Sequence, residues 1–396
     1  MTQEPRRLDL SFYFGREPVI LAVLTGLAAV SFLAVTGLAT LYHTKEQSLA
    51  VEWSTRGLDD LNAARYKVAI PEFRTALEYA RDNDDYQLDL AEALLGLNRT
   101  DEAQAYLINL RERQPDNGVV NLELARIAVE KKQTDQALRF YHDAINATWP
   151  ENQEAERRKA QLELIYYLLR INARTQAESV LIALGASTGE NAAEQEQLGD
   201  LLMRVPDNGR ALAAFRETLK LAPKNAAAEA GAGTAAFNLG MYPAAEHYLN
   251  EAVAAAPGDA ASAALLKTTD AVLRLDPYRP RIQDAERDRT VMASFAVAGD
   301  RLSACGALGA AKTQAGQKSD AGAPKTASDT PVDSLAEQWT KLKPQVTVLG
   351  LRQDPDLVNT VMNLAFQIES LKSPACAAPT EDDKALTLIA NLHEEN

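Results

Sequence analysis

Hydrophobic positions divide the chain into stretches of different period. From Pro18 to Tyr42, 25 residues run without a charge: PVILAVLTGLAAVSFLAVTGLATLY. At about 1.5 Å per residue a helix of this length covers roughly 37 Å, and a bilayer needs about 20 residues. From about residue 50 to 276 the period changes. Apolar residues recur at i, i+3, i+4 and i+7 in paired stretches, which predicts amphipathic helices. One such pair cannot bury its apolar face alone, so the pairs must stack. Ala260 to Leu275 predicts a capping helix, ended before Pro277. Arg281 to Leu308 predicts another, with Val291, Phe295, Val297 and Leu302 as candidate core. Residues 312–333 have no apolar period and are rich in Ala, Gly, Ser and Thr, which predicts a flexible linker. Three more helices follow: Ser334 to Leu342, Pro355 to Leu371 and a last one from Thr380 to about His393. Thr380 stands where an N-cap would, with acids after it.

The paired stretches repeat. Tyr66, Ala69, Ile70, Phe73, Ala76 and Leu77 form a pattern, with Trp53 and Gly57 before it. Ala103, Leu107, Leu110 and Pro115 restate it, as do Ala137, Tyr141 and Ala144. Ala177, Leu181 and Leu184 follow after six extra residues near Pro150. Ala211, Phe215 and Pro223 come next, then Gly233, Gly240, Tyr242, Ala245, Ala252 and Pro257. The pattern resembles the tetratricopeptide repeat, W-x2-L-G-x2-Y followed by A-x3-F-x2-A and a late Pro. Six copies run over about 50–83, 84–117, 118–151, 158–191, 192–225 and 226–259, just over half the chain. The fourth departs, with Ile165 where the family has a small residue and Leu184 in place of Ala, which predicts a splayed helix pair.

The resemblance implies a right-handed α-solenoid, and with the apolar run and the later helical stretches the expected fold is all-α: a transmembrane helix, the solenoid and a small C-terminal helical region. The expected organisation is a cytoplasmic N-terminus at 1–17, a transmembrane helix at 18–42 and a capped solenoid at 50–276. A helical extension at 277–311, the linker at 312–333 and a helical bundle at 334–396 complete it. The resemblance also implies a concave groove lined by the first helix of each pair. Family positions place Leu88, Glu92, Leu95, Leu122, Arg126, Val129, Leu162, Tyr166, Leu169, Glu196, Asp200, Met203, Thr234 and Phe237 on it. The Lys and Asn that one subclass uses to hold a C-terminal carboxylate are missing; the third copy has Leu122 and Arg126 there. A mixture of apolar and acidic positions suits an amphipathic helix or an extended segment with basic flanks. Tyr166 and Arg126 are of the types enriched at hot spots.

Charge changes the picture in two ways. Arg6, Arg7 and Arg16 precede the apolar run and only Lys45 follows closely. The positive-inside rule then predicts a cytoplasmic N-terminus and an extracytoplasmic repeat domain. Phe12, Tyr13, Phe14 and Tyr42 are placed as an aromatic belt, and Ala22 and Gly26 make a small-xxx-small pair. A cleaved signal peptide is the alternative, but its apolar core is shorter, about 7–15 residues. The net charge of −14 (41 Lys and Arg, 55 Asp and Glu) argues against nucleic-acid binding and a polybasic membrane patch.

Catalytic chemistry finds little support. The four histidines, His43, His142, His247 and His393, have no partner at metal spacing, and no metal or cofactor is expected. The stretch Gly306 to Thr313 has Ala311 where a phosphate loop needs Gly before Lys. Asp82-Asn83-Asp84-Asp85 lacks the ligand spacing of a calcium loop. The two cysteines, Cys305 and Cys376, would be able to form a disulfide in an oxidising compartment. The expected function is a non-catalytic scaffold in the inner (plasma) membrane of a bacterium, its domain in the periplasm. It would hold a protein or peptide partner in its groove for assembly of an envelope complex. No nucleic acid or small-molecule substrate is expected. A periplasmic chaperone or adaptor with transient clients stays open beside it, as does an enzyme with its site in 277–396.

Overall fold

The computed structural model describes residues 16–149, 153–307, 331–371 and 376–394. Among them every regular element is a helix. The N-terminal stretch 1–15, residues 150–152 within the inserted segment and most of the expected linker (as part of 308–330) lie outside the described residues. So do the aromatic residues 12–14 and residues 308–313 of the Gly306–Thr313 segment.

The first helix departs from expectation. α1 runs unbroken over 47 residues, Arg16–Asn62, so the apolar run and the first helix of the first repeat are one rod. The residues between them, His43 to Leu49, contain neither Gly nor Pro, and nothing in them ends a helix. By length and composition its apolar part is able to cross a membrane, and none of that part is buried in the protein.

Helix pairs follow: α2 (Tyr66–Tyr79), α3 (Asp84–Gly96) with α4 (Thr100–Arg113), and α5 (Gly118–Glu130) with α6 (Thr134–Asn146). Next come α7 (Glu154–Arg170) and α8 (Arg174–Ser187), α9 (Ala192–Arg204) and α10 (Asn208–Leu221), and α11 (Ala226–Asn238) and α12 (Tyr242–Ala255). Both ends of the first helices are built by recurring side chains. Asn83, Asn117, Asn191, Asn225 and Asp259 are N-caps whose side chains accept from backbone N–H groups two or three residues on. At the other end Ala64, Asn98, Lys132, Asn172 and Gly240 take positive φ, from 55° to 70°. The next residue then donates back across the turn, as Arg99 N–H does to Leu94 O (2.9 Å) and Met241 N–H to Ala236 O (2.9 Å). That closure satisfies carbonyls the helix leaves open.

The chain divides into two compact units, one up to Tyr166 and one from Tyr167. The division falls inside α7, the helix in which Ile165 replaces a small residue. In the first unit Phe73, Leu90, Leu94, Leu107, Leu124 and Ile127 form the core. Burying side chains of this size contributes about 1.5–3 kcal/mol each.

In the second unit the last repeat and the C-terminal helices share one core. Its helices beyond the repeats are α13 (Ala260–Leu275), α14 (Asp284–Ala304), α15 (Pro331–Leu342), α16 (Val348–Gln353), α17 (Asp356–Glu369) and α18 (Glu381–Glu394). Tyr242 of α12 packs with Val272, Phe295, Trp339, Val361, Ile368 and Ile389. Trp339 stacks on Phe295 (5.0 Å between rings) and donates its indole N–H to the Phe295 carbonyl (3.0 Å). α15 begins at Pro331, so the end of the expected linker, 331–333, is helix. α16 was not predicted; Thr347 caps it by accepting from Gly350 N–H (3.0 Å). Cys305 and Cys376 are joined by a disulfide across a separation of 71 residues.

Candidate partner-binding face

In the first unit the candidate residues sit on α3, α5 and α7, the first helices of three successive repeats. Leu88 is half-buried against the core cluster, whereas Leu122 is 3% exposed and offers no surface. Leu162 is half-buried and Tyr166 is 44% exposed. Arg126 lies among acids. It donates from Nε and Nη2 to the two oxygens of Glu163 (3.0 and 2.6 Å), and from Nη1 to Glu123 on its own helix. Glu123 and Glu163 were not among the expected groove residues. The signal was present: Asp89, Glu123 and Glu163 hold the same repeat position, 34 and 40 residues apart.

Burial outweighs the cations near three of the acids on this face, Asp89, Glu92 and Glu123. Burial, then the charges of Glu123 and Asp89, push Glu92 up to about 7 against the pull of Arg126. Burial and the neighbouring Asp85 push Asp89 up to about 6. Burial also raises Glu123, although Arg126 opposes it. A desolvated carboxylate with too few cationic partners favours its neutral form, and a cation brought to it would favour the charged one.

In the second unit the candidates sit on α9 and α11. Glu196 is held by the Asn225 side-chain amide (2.5 Å). Asp200 is exposed at the surface, and partial burial together with Glu196 raises its pKa. Met203 is half-buried. Thr234 spends its hydroxyl on the Ala230 carbonyl of its own helix (2.8 Å). Phe237 packs edge-on to Tyr242 (5.4 Å) and against the C-terminal core cluster. Next to it, Leu392 of α18 lies where a Cβ on Gly240 would fall (2.5 Å). α18 thus packs against the turn that follows α11, and Phe237 is partly buried beside it.

Among the described residues no group of three or more His, Cys, Asp or Glu is placed to hold a metal ion. His393 lies by Asp276 (3.7 Å) and the Tyr278 ring (4.3 Å).

Two segments match tetratricopeptide-repeat family models, residues 61–118 and 197–260. No curated protein matches the chain. Solved structures that resemble it include YrrB, described as a TPR protein with an unusual peptide-binding site. It is 17% identical, covers 48% of this chain and 96% of its own, and has a TM-score of 0.39. The PilF protein of Pseudomonas aeruginosa is 16% identical over 57% of this chain and 99% of its own, with a TM-score of 0.38. The C-terminal part of a TPR repeat-containing protein from Cytophaga hutchinsonii is 15% identical over 60% and 92%, with a TM-score of 0.41. The matched segments coincide with helix pairs that share caps, left-handed turns and small-residue contacts, and the chain carries tetratricopeptide repeats over them.

Proposed function

We propose that this protein is a membrane-anchored, non-catalytic scaffold that binds a partner polypeptide along the first helices of its repeats. The reading rests above all on the acidic positions Glu92, Glu123 and Glu163, which gather around Arg126, with Asp89 held beside Glu92. Such a face suits a segment that brings Lys or Arg to Glu92 and lays an apolar residue near Tyr166 and Leu162. The apolar part of α1 would be the anchor, with its N-terminus cytoplasmic and the repeats in the periplasm of a bacterial envelope. Assembly of an envelope complex is the role that layout serves.

The test is crosslinking in intact cells, solubilisation of the membranes and identification of what co-purifies. Wild type is compared with a Glu92→Lys, Tyr166→Ala variant whose helicity is checked by circular dichroism. One stoichiometric partner, lost in the folded variant, supports the scaffold. Many weak clients would replace it with a chaperone reading. A partner retained at full yield by the variant moves the binding site off this face. Sequencing the N-terminus of the membrane-extracted protein tests the anchor, since cleavage after residue 42 would mark a signal peptide.

A further inference from the structure

A cavity of about 890 Å³ lies in the second unit, and none of the candidate partner-binding residues lines it. Its wall includes Arg279 from the turn after α13, Arg287 from α14 and Arg352 from α16. Asp284 is the one acid in that wall; the acids that pair with Arg279 and Arg352 stand behind it, so three guanidinium groups and one carboxylate line the cavity itself.

The three guanidinium groups are fixed by neighbours. Arg352 donates from Nε to Asp288 (3.0 Å), an acid only 1% exposed. Arg279 donates from Nε to the Asp276 carbonyl (3.1 Å) and from Nη2 to Glu286 (2.9 Å). Arg287 pairs with Asp284 at 3.1 Å. Asp288 and Glu286 lie outside the cavity wall and act as supports. A guanidinium held at one edge keeps further N–H donors in a rigid plane, the geometry that suits bidentate contact with an oxyanion. Side chains already held by ion pairs lose little freedom when a ligand arrives. The start of α14 lies in the same wall through Gln283, Asp284 and Ala285, and Gln283 makes no side-chain cap bond. The first N–H groups of this 21-residue helix add donors and a positive dipole end.

We propose that this cavity binds a small multivalent phosphate through Arg279, Arg287 and Arg352. The volume exceeds what one phosphate group fills, and three cations on three elements match a ligand with more than one anionic group. Free polyphosphate and the headgroup of a diphosphatidyl lipid share this chemistry.

The test is calorimetric titration of the full chain in neutral detergent at low ionic strength. Sodium tripolyphosphate is one probe, and bis(glycerophospho)glycerol, the deacylated lipid headgroup, is the other. One-to-one binding of either, weakened about tenfold by Arg352→Gln, supports the site. The stronger probe names the source. Arg352→Gln leaves buried Asp288 without its partner, so Arg287→Gln, which breaks only an exposed pair, serves as the second variant and is expected to weaken binding similarly. Heats no larger than dilution for both probes overturn the proposal. Binding that is unchanged in both variants overturns it too.

Discussion

Arg126 and Glu163 join two successive repeats through a two-pronged ion pair, 3.0 and 2.6 Å long. The same guanidinium holds Glu123 one turn back on its own helix. Each side chain is about a third exposed or less, so solvent screens the pair only in part. Replacing Arg126 by Gln leaves two acids facing each other near Glu92. We expect a loss of about 1–3 kcal/mol in denaturant unfolding. Arg126→Lys should recover part of it, because an ammonium cannot match both oxygens and Glu123 together. A double-mutant cycle with Glu163→Gln would read the coupling directly, and a coupling near zero would refute the account.

The glycines of the repeats test the helix approach. A Cβ on Gly233 would lie 2.7 Å from Leu249 Cγ and 3.2 Å from the Leu249 backbone nitrogen. One on Gly199 would meet the Phe215 ring at 2.7 Å. Helix propensity alone favours Ala over Gly by about 0.5–1 kcal/mol. Overpacking opposes it at about 1–3 kcal/mol, and at these two sites packing should win. Gly233→Ala and Gly199→Ala are expected to lower the unfolding midpoint. Gly26→Ala and Gly37→Ala, with nothing within 4 Å, meet no such clash and should not lower it. A stabilised Gly233→Ala variant would mean that the helix pair opens at little cost.

Much of the fold is legible because the repeat forces one solution on many positions. Phe73 and Phe215 are both fully buried in equivalent places, as their shared register requires. The Asn and Asp caps at 83, 117, 191, 225 and 259 were also in the sequence and passed unread, since single polar residues carry no apolar period. The continuity of α1 was obscured by two apolar patterns that meet in one helix: lipid-type composition first, one buried stripe later. α16 has six residues, too few to show a period at all. On the candidate face, family spacing does not show that Leu122 is 3% exposed or that Phe237 packs against the C-terminal core cluster. Whether a first-helix residue faces solvent depends on what packs on it, and Phe237 packs against a core cluster that includes Ile389 of α18, more than 140 residues away in sequence. Arg279, Arg287 and Arg352 are legible only as surface charge until three elements bring them to one cavity.

The disulfide gives a third test. Cys305 ends α14, and the Ala377 carbonyl, one residue past Cys376, accepts from Arg301 Nη1 (2.7 Å). The bond therefore holds the segment that leads into α18. Loop-closure entropy for a 71-residue separation gives about 4 kcal/mol, and measured gains run nearer 2–4. Reduction, or Cys305→Ser with Cys376→Ser, should lower the stability of the C-terminal helices by that order. Limited proteolysis with and without reductant would show it as faster cleavage near residue 376. Equal cleavage rates would mean that packing alone holds α18.

The last prediction concerns pH. Glu369 ends α17 with its side chain 2% exposed, and its Oε1 has no hydrogen-bond partner. Arg301 Nε is 4.0 Å from its other oxygen, too far for a hydrogen bond. Asp383 is occupied at the start of α18, where it accepts from Thr380 N–H (2.7 Å) while Thr380 Oγ1 accepts from Asp383 N–H (3.2 Å). Burial, and then the Asp383 charge, push Glu369 up to about 8 against the pull of Arg301. The folded chain thus binds this proton more tightly than the unfolded chain, whose glutamate titrates near 4.5. Between those values the native state carries the extra proton, so stability is highest at the acid end and falls as pH rises towards about 8. Glu92, pushed up to about 7, adds the same sign over a narrower range. The unfolding temperature should therefore drop by several degrees between pH 5.5 and 8.5. Glu369→Gln, which stays neutral throughout, should flatten most of that slope, and Glu92→Gln the part below about pH 7. A wild-type curve that is level or rises with pH would contradict the assignment. So would a Glu369→Gln variant with the wild-type slope.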